Sequence, residues 1–165
     1  MGLGSNEGLR IKYLLTGLCS IAKIPNCKIL KVSKVYETKP YGYQEQNNFL
    51  NAAALVETDL SLEQFLTEIK EIEKQTGRKN ILRWGPRTLD IDILLFNNLV
   101  YSDDKISVPH KGMLKRDFVI YPLLDINPEL VHPEIKTKLK DINFSHLESN
   151  IIRKLSINLF NYIEI

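Results

Sequence analysis

The first part of the chain shows helix-like and strand-like patterns of apolar residues in turn. Between residues 11 and 22 the apolar positions follow the spacing i, i+3, i+4, i+7 and i+11, which predicts a helix capped by Ser5 or Asn6. Residues 28–36 have the alternating pattern of a strand. Residues 49–57 predict another strand, although three consecutive alanines weaken that pattern. No internal repeat accompanies these elements, so the pattern favours one mixed domain.

The middle of the chain contains the most clearly marked helix. Ser61 and Gln64 form a capping-box pattern, an apolar stripe follows, and Gly77 is placed to end the helix. Residues 89–96 then predict a strand that is apolar in all but two positions. Near the C-terminus, residues 147–159 keep a near-helical apolar spacing. Strands and helices mixed in this order predict an α+β domain.

Composition narrows the class of protein. The chain has 165 residues, 44% of them hydrophobic and 25% charged, which fits one globular domain over residues 1–165. No apolar run approaches the roughly 20 residues needed to span a bilayer, and the N-terminus lacks a secretory-signal pattern. Cys19 and Cys27 have neither disulfide nor metal-ligand spacing, so we expect reduced thiols in a cytoplasmic protein. The net charge of +2 gives no reason to expect a nucleic-acid partner.

Two aspartates interrupt the predicted strand over residues 89–96. Because side chains alternate along a strand, Asp90 and Asp92 point to the same face. Two carboxylates surrounded by apolar residues are costly to bury without partners. Hard oxygen ligands of this kind suit Mg²⁺, which binds one or two carboxylates together with phosphate oxygens and water. The pair therefore predicts a metal site at this strand.

A basic loop precedes the aspartates and complements them. Arg78, Lys79, Arg83 and Arg87 place four cations within ten residues, and Trp84 offers a flat aromatic face. Arginine guanidinium groups match phosphate oxygens and offset their charge. Such a loop next to a carboxylate pair favours phosphoryl-group transfer. The alternative is a solvated basic loop whose charges form salt bridges with two aspartates at a sheet edge.

The residues from Arg83 to Leu94 resemble the signature of the 6-hydroxymethyl-7,8-dihydropterin pyrophosphokinases. The resemblance begins at Gly4-Ser5-Asn6 and continues in matching order to about Pro133. It implies a three-layer α/β/α sandwich around a mostly antiparallel sheet, related to ferredoxin-like folds. It also implies transfer of pyrophosphate from ATP to 6-hydroxymethyl-7,8-dihydropterin, with release of AMP, in tetrahydrofolate biosynthesis.

The resemblance assigns the catalytic centre to the basic loop and the aspartates. Asp90 and Asp92 would hold two Mg²⁺ ions between the ATP phosphates and the pterin hydroxyl. Arg78 and Arg87 would act in catalysis from a loop that closes over the phosphates. Arg83 and Trp84 would belong to the same lid, which excludes water.

The two substrates would be bound on either side of this centre. The resemblance gives the following residues to the pterin: Thr38, Tyr41, Gly42, Phe49, Asn51 and Phe118. It gives the following residues to the nucleotide: Lys70, Glu73, Arg83, Trp84, Ile93, His110 and Arg116. Core packing is the alternative for the two phenylalanines, and Glu73 equally fits a carboxylate at the edge of the apolar stripe of its helix.

The sequence also departs from the family pattern. Only three residues precede Gly4, so we expect either a shortened strand at the sheet edge or a trimmed start. Asn80 and Lys111 stand where the family often has an arginine and an aromatic residue, and we expect weaker nucleotide binding as a result. The tail from about residue 145 resembles nothing specific. It either completes the domain or begins a linker to another folate-pathway domain.

Three other functions remain open at the level of sequence. A polymerase-β-like nucleotidyltransferase shares the glycine-serine and D-x-D features, but Ser5 and Asp90 lie far apart here. An RNA-binding module would use Trp84 and the arginines, but no aromatic-rich RNA-binding strand motif is present. A pterin or ATP binder without turnover is the third alternative.

Overall fold

The computed structural model describes residues 1–77 and 85–163. Within these ranges the α-helices are Arg10–Ala22 (α1), Leu62–Gln75 (α2) and Asp117–Ile126 (α3). The strands are Gly2–Ser5 (β1), Cys27–Val32 (β2), Val35–Thr38 (β3), Phe49–Thr58 (β4), Asp90–Asp92 (β5), Tyr101–Ser102 (β6), Ser107–Val108 (β7) and Ile151–Leu155 (β8). Short 3₁₀ helices occupy Met113–Lys115, Leu139–Asp141 and Leu159–Tyr162.

The main sheet is antiparallel at every described pairing. Its strands lie in the order β5-β1-β4-β3-β8, and β2 pairs with the C-terminal half of β4. Between β2 and β3, Ser33 keeps the ladder closed, because its N–H donates to the Ala53 carbonyl and its Oγ accepts from the Ala53 N–H at 2.8 Å. β6 and β7 form a separate hairpin. The long strand β4 is therefore the spine of the fold.

Helices cover both faces of this sheet. Alternate residues of β4 face opposite sides of the sheet, where two apolar clusters lie. Leu50, Ala52 and Ala54 belong to the first cluster, and Ala53 belongs to the second. The first cluster contains the buried faces of α1 and α2, and the second contains that of α3. The three layers confirm the α/β/α sandwich that the resemblance implies. The alanines that weaken the strand pattern keep these helices close to the sheet.

Two predictions in the first half of the chain are wrong. No side chain caps α1, whose N-cap is Leu9, because Ser5 lies in β1 and the Asn6 side chain bonds elsewhere. β1 is short, with four residues, but it lies inside the sheet between β4 and β5 rather than at its edge. By contrast, the capping box of Ser61 and Gln64 at α2 is confirmed.

Two predictions in the second half are also wrong. The strand predicted over residues 89–96 is confined to Asp90–Asp92, because its partner β1 offers only a short edge. The tail forms a strand, β8, rather than a helix, and β8 pairs with β3 at the edge of the sheet. Residues Leu159 and Ile163 beyond it are buried in the first cluster. Among the helices of the described residues, none has the length and apolar character needed to cross a membrane.

Candidate active site

A cavity of about 130 Å³ opens where β1, β4 and β5 approach the start of α3. Asp90 and Asp92 both line it, as their positions on one face of β5 require. A second cavity of about 260 Å³ lies against α2 and the β6–β7 hairpin, and Asp92 lines that one as well. Asp92 therefore lies where the two cavities meet.

The two aspartates have different surroundings. Burial and then the nearby charge of Asp90 raise the pKa of Asp92, and basic side chains around the site oppose that rise. Asp90 instead forms an ion pair with Arg87. The structure thus brings together three of the four residues that the resemblance assigns to catalysis, and it gives Asp90 a cationic partner from the loop before β5.

Asn6 holds the backbone of Arg87 in place. The Asn6 N–H donates to the Arg87 carbonyl at 3.1 Å, and the Arg87 N–H donates to Asn6 Oδ1 at 2.8 Å. The Nδ2 of the same side chain donates to Gln46 Oε1 and to the Asn47 carbonyl. One buried asparagine directly after β1 therefore bonds both the loop before β5 and the loop before β4. We had not predicted this role, and the signal in the sequence is a polar residue between a strand and a helix.

The residues expected to bind the pterin line the first cavity, with one exception. Those that line it are Thr38, Tyr41, Phe49, Asn51 and Phe118. Asn51 Nδ2 donates to Thr38 Oγ1 at 2.8 Å, and both side chains are buried. The rings of Tyr41 and Phe118 meet edge to face with centroids 6.0 Å apart. Gly42 follows Tyr41 in the loop but is exposed and outside the lining.

The second cavity contains part of the set expected to bind the nucleotide. Lys70, Ile93 and His110 line it together with Asp92. The His110 N–H donates to the Leu94 carbonyl, and its Nδ1 accepts from the Gly112 N–H at 3.0 Å. Burial lowers the pKa of His110 below its ordinary value of 6.5, against the opposing effect of Asp92. We therefore expect a neutral imidazole at pH 7.

Arg116 lies on the other side of the carboxylates, in the first cavity. Its guanidinium carbon lies 5.0 Å from the centroid of the Tyr41 ring. Its Nε is buried and makes no hydrogen bond within the described residues. A buried guanidinium donor without a partner, in the same cavity as Asp90 and Asp92, suits a bound anion such as phosphate.

Glu73 is not among the described residues that line the two cavities. It is 2% exposed, and its Oε1 accepts a hydrogen bond of 2.7 Å from the Ile91 N–H. Its Oε2 accepts from Lys70 Nζ at 2.8 Å. The carboxylate of Glu73 therefore bonds the backbone of β5 at Ile91, the residue between the two aspartates. Its contact with adenosine remains a prediction.

Three predicted site residues lie outside the described residues. They are Arg78, Arg83 and Trp84, together with the neighbouring Lys79 and Asn80. The described part of the loop begins at Gly85, which lines the first cavity together with Arg87.

The donor set fits magnesium. Two carboxylates face one cavity, and among the described residues no cluster of three or more histidine, cysteine, aspartate or glutamate side chains is present to form a protein-only metal site. Magnesium is commonly held by one or two carboxylates, with phosphate and water oxygens completing its shell. The arrangement therefore suits a cation that arrives with a phosphorylated ligand.

The fold and the site define a class of α+β protein with two cavities that meet at Asp92, one of a pair of carboxylates. The sequence profile of the 7,8-dihydro-6-hydroxymethylpterin-pyrophosphokinase (HPPK) family matches residues 1–128. The chain belongs to this family.

Named relatives agree with the family match. The 2-amino-4-hydroxy-6-hydroxymethyldihydropteridine pyrophosphokinase of Aquifex aeolicus is 43% identical over 141 residues, which are 86% of this chain and 87% of that protein. The protein of the same name from Haemophilus influenzae is 40% identical over 133 residues, or 81% of this chain and 83% of that protein. The folic acid synthesis protein fol1 of Pneumocystis carinii is 41% identical over 133 residues, but the match covers only 18% of its length.

Proposed function

We propose that the chain transfers pyrophosphate from ATP to 6-hydroxymethyl-7,8-dihydropterin, with release of AMP, in tetrahydrofolate biosynthesis. The observation that carries this proposal is the position of Asp92, which lines both cavities. One cavity has the aromatic and amide side chains that suit a flat, polar heterocycle. The other has Lys70 and His110 beside an apolar wall, as a nucleotide requires.

We assign Asp90 and Asp92 as the ligands of two Mg²⁺ ions. When bound, magnesium would neutralise phosphate charge and polarise the pterin hydroxyl. Binding of a cation at Asp90 competes with its ion pair to Arg87. Release of that pair would free the guanidinium to bind phosphate oxygens on the same side of the cavity. Arg87 thus keeps the carboxylate neutralised before the substrates arrive.

The two substrates would occupy the two cavities. On the pterin side, the bonded pair of Thr38 and Asn51 presents polar atoms next to Phe49 and Phe118. On the nucleotide side, His110 remains neutral because burial lowers its pKa, so it serves as a hydrogen-bonding group rather than as a charge. Arg116 lines the same cavity as the two carboxylates, where its guanidinium would contact the transferred group.

We propose that the tail belongs to this domain. β8 pairs with β3, and Leu159 packs in the core. Fusion to another folate-pathway enzyme remains a second possibility for a longer polypeptide, since the fol1 relatives are much longer than the segment that matches this chain. Cys19 and Cys27 are free thiols, which fits the cytoplasmic location that we predict.

The deciding experiment measures AMP release from ATP and Mg²⁺, with and without the pterin, in the wild type and in Asp92→Asn. We expect pterin-dependent AMP in the wild type and a loss of about 100- to 1,000-fold in the variant, as for removal of a key electrostatic group. Asp59→Asn is the matched control because Asp59 is exposed at the far end of β4. Release of ADP, or AMP formation without pterin, would overturn the assignment.

A further inference from the structure

Among the described residues, the strand that carries the aspartates has a neighbouring strand on one side only. In the sheet order β5 is terminal, and its pairing is with β1. In an antiparallel strand successive N–H groups point to opposite edges. The N–H of Ile91 faces away from β1 and would be an unpaired edge donor in a residue that is 1% exposed. A buried N–H of this kind requires an acceptor.

Helix α2 supplies that acceptor. The Glu73 carboxylate accepts from the Ile91 N–H at 2.7 Å and from Lys70 Nζ at 2.8 Å. The neighbours of Glu73 on the buried stripe of the helix are apolar, with Ile69 and Ile72 both in the core. Burial of a carboxylate is expensive unless it is paired, and here both of its oxygens accept hydrogen bonds. An apolar side chain at this position would leave the buried Ile91 N–H without that acceptor. The presence of a carboxylate therefore indicates a specific task.

We propose that Glu73 is a positioning residue for the metal-binding pair. It fixes the peptide between Asp90 and Asp92, and so sets the direction of both carboxylates at once. This inference rests on the proposed role of the two aspartates. Functional groups of a metal site must be held within about 0.5 Å of their working geometry, and a terminal strand with one neighbour lacks that restraint. α2 provides the missing restraint through one charged hydrogen bond.

The proposal differs from a contact between Glu73 and the nucleotide. A residue that touches adenosine affects nucleotide affinity and leaves the metal-free strand unchanged. A residue that positions β5 affects the strand whether or not ligands are present. The Ile91 amide therefore distinguishes the two roles of Glu73, because Glu73 is the acceptor of its hydrogen bond.

The test compares Glu73→Leu and Glu73→Gln with Glu71→Leu and Glu71→Gln. Glu71 lies on the same helix with an exposed side chain. Amide hydrogen exchange of Ile91 is measured by NMR on the metal-free protein. We expect Glu73→Leu to speed exchange of this amide by about 100-fold or more, since a charged hydrogen bond of about 3 kcal/mol is lost. Glu73→Gln retains an acceptor oxygen, but a neutral one, and is expected to give protection between that of Glu73→Leu and that of the wild type.

The second measurement is the affinity of the site for a divalent metal ion. Mn²⁺ binding in the presence of a non-hydrolysable ATP analogue is measured by electron paramagnetic resonance. We expect Glu73→Leu to weaken Mn²⁺ about 10- to 100-fold, as for other residues that orient metal ligands, and both Glu71 variants to match the wild type. If Glu73→Leu does not fold, a shifted and less protected Ile91 amide in Glu73→Gln supports the proposal.

The outcomes separate this inference from the proposed function. Unchanged protection of Ile91 in the Glu73 variants, with weaker binding of the analogue alone, would overturn the positioning role and favour a nucleotide contact. If Asp92→Asn leaves Mn²⁺ affinity unchanged, the metal assignment fails independently of Glu73. Faster exchange at Ile91 without any change in Mn²⁺ affinity would reduce Glu73 to a stabilising residue and also contradict the proposal.

Discussion

At the scale of single residues, the shape of the first cavity depends on the absence of a side chain at Gly4. Gly4 lies in β1 directly opposite Asn51 of β4. A Cβ atom at Gly4 would lie 2.9 Å from Asn51 Oδ1 and 3.7 Å from a ring carbon of Phe49. Asn51 is already bonded to Thr38, so its amide has little freedom to move away. Glycine at this position therefore preserves the polar edge of the cavity.

Gly4→Ala is expected to raise the KM for the pterin about fivefold, because displacement of the Asn51 amide costs on the order of one hydrogen bond, or about 1 kcal/mol. Binding of an ATP analogue should change little. Steady-state kinetics and calorimetric titration measure the two effects. Gly2→Ala is the control, since its Cβ would meet the flexible end of Leu94 at 3.3 Å. An unchanged pterin KM in Gly4→Ala would contradict the role of this glycine.

At the scale of elements, one carboxylate attaches the tail to the helix that bears Phe118. Asp117 begins α3, and its side chain accepts from the N–H groups of Phe118, Asn150 and Ile151 at 2.8, 2.8 and 3.0 Å. Asp117 is 6% exposed, so water cannot take its place as the acceptor for these three backbone N–H groups. β8 is thereby tied to the start of α3 as well as to β3.

Asp117→Asn is expected to destabilise the protein by about 2 kcal/mol, because an amide nitrogen would face two backbone donors. Urea denaturation gives the free energy of unfolding, and hydrogen exchange of the Ile151 amide locates the loss. Asp141→Asn, at an exposed site, serves as control. Equal stability of Asp117→Asn and the wild type would show that the tail does not depend on this attachment.

A second tie between the tail and the sheet depends on pH. Glu37 of β3 accepts from Arg153 of β8 at 2.7 Å and from Arg10 of α1 at 3.2 Å. The bond from Arg153, supported by Arg10, holds the pKa of Glu37 below its ordinary value of 4.5 even though burial opposes this shift. Because the folded pKa is lowered, the stabilisation is complete above about pH 4.5 and is lost as the pH falls through the lowered value.

Glu37→Gln should therefore lower the free energy of unfolding by about 1–2 kcal/mol at pH 7. The expected change is modest because the Arg153 side chain is largely exposed, and solvent weakens its ion pair with Glu37. The difference from the wild type should shrink steadily below pH 4.5. Denaturation curves at a series of pH values measure it. A difference that grows on acidification would contradict the assigned sign.

At the scale of the whole molecule, sequence patterns predict features that depend on neighbouring residues and miss contacts between residues far apart in the sequence. The capping box of α2 and the shared face of Asp90 and Asp92 follow from spacing alone, and both are present. The strand character of the tail depends on β3, which lies more than a hundred residues earlier. Likewise, Glu73 looks like an edge residue of its helix until the fold brings Ile91 against it.

The same reasoning explains the incomplete account of the site. Resemblance gave the two ligand sets, and five of the six pterin residues line one cavity. It includes Asn6 but assigned no role to this residue, whose partners lie 40 to 81 residues away. Such contacts arise from chain topology, so only the assembled sheet brings them together.

Asn6 has a thermodynamic consequence. It bonds Gln46 in the loop before β4 and Arg87 in the loop before β5. A ligand that orders either loop lowers the entropy cost of ordering the other, and linkage requires that the benefit be reciprocal. Each substrate is therefore expected to tighten the other by one common factor, about 5- to 150-fold.

Calorimetric titration of pterin with and without the ATP analogue, and of the analogue with and without pterin, measures both factors. In Asn6→Ala they should fall together toward one, while exposed Asn98→Ala keeps the wild-type value. A common factor that keeps its wild-type value in Asn6→Ala would show that the coupling does not depend on Asn6. If they are equal and depend on Asn6, a single buried amide lets the first substrate to arrive prepare the site for the second, whichever it is.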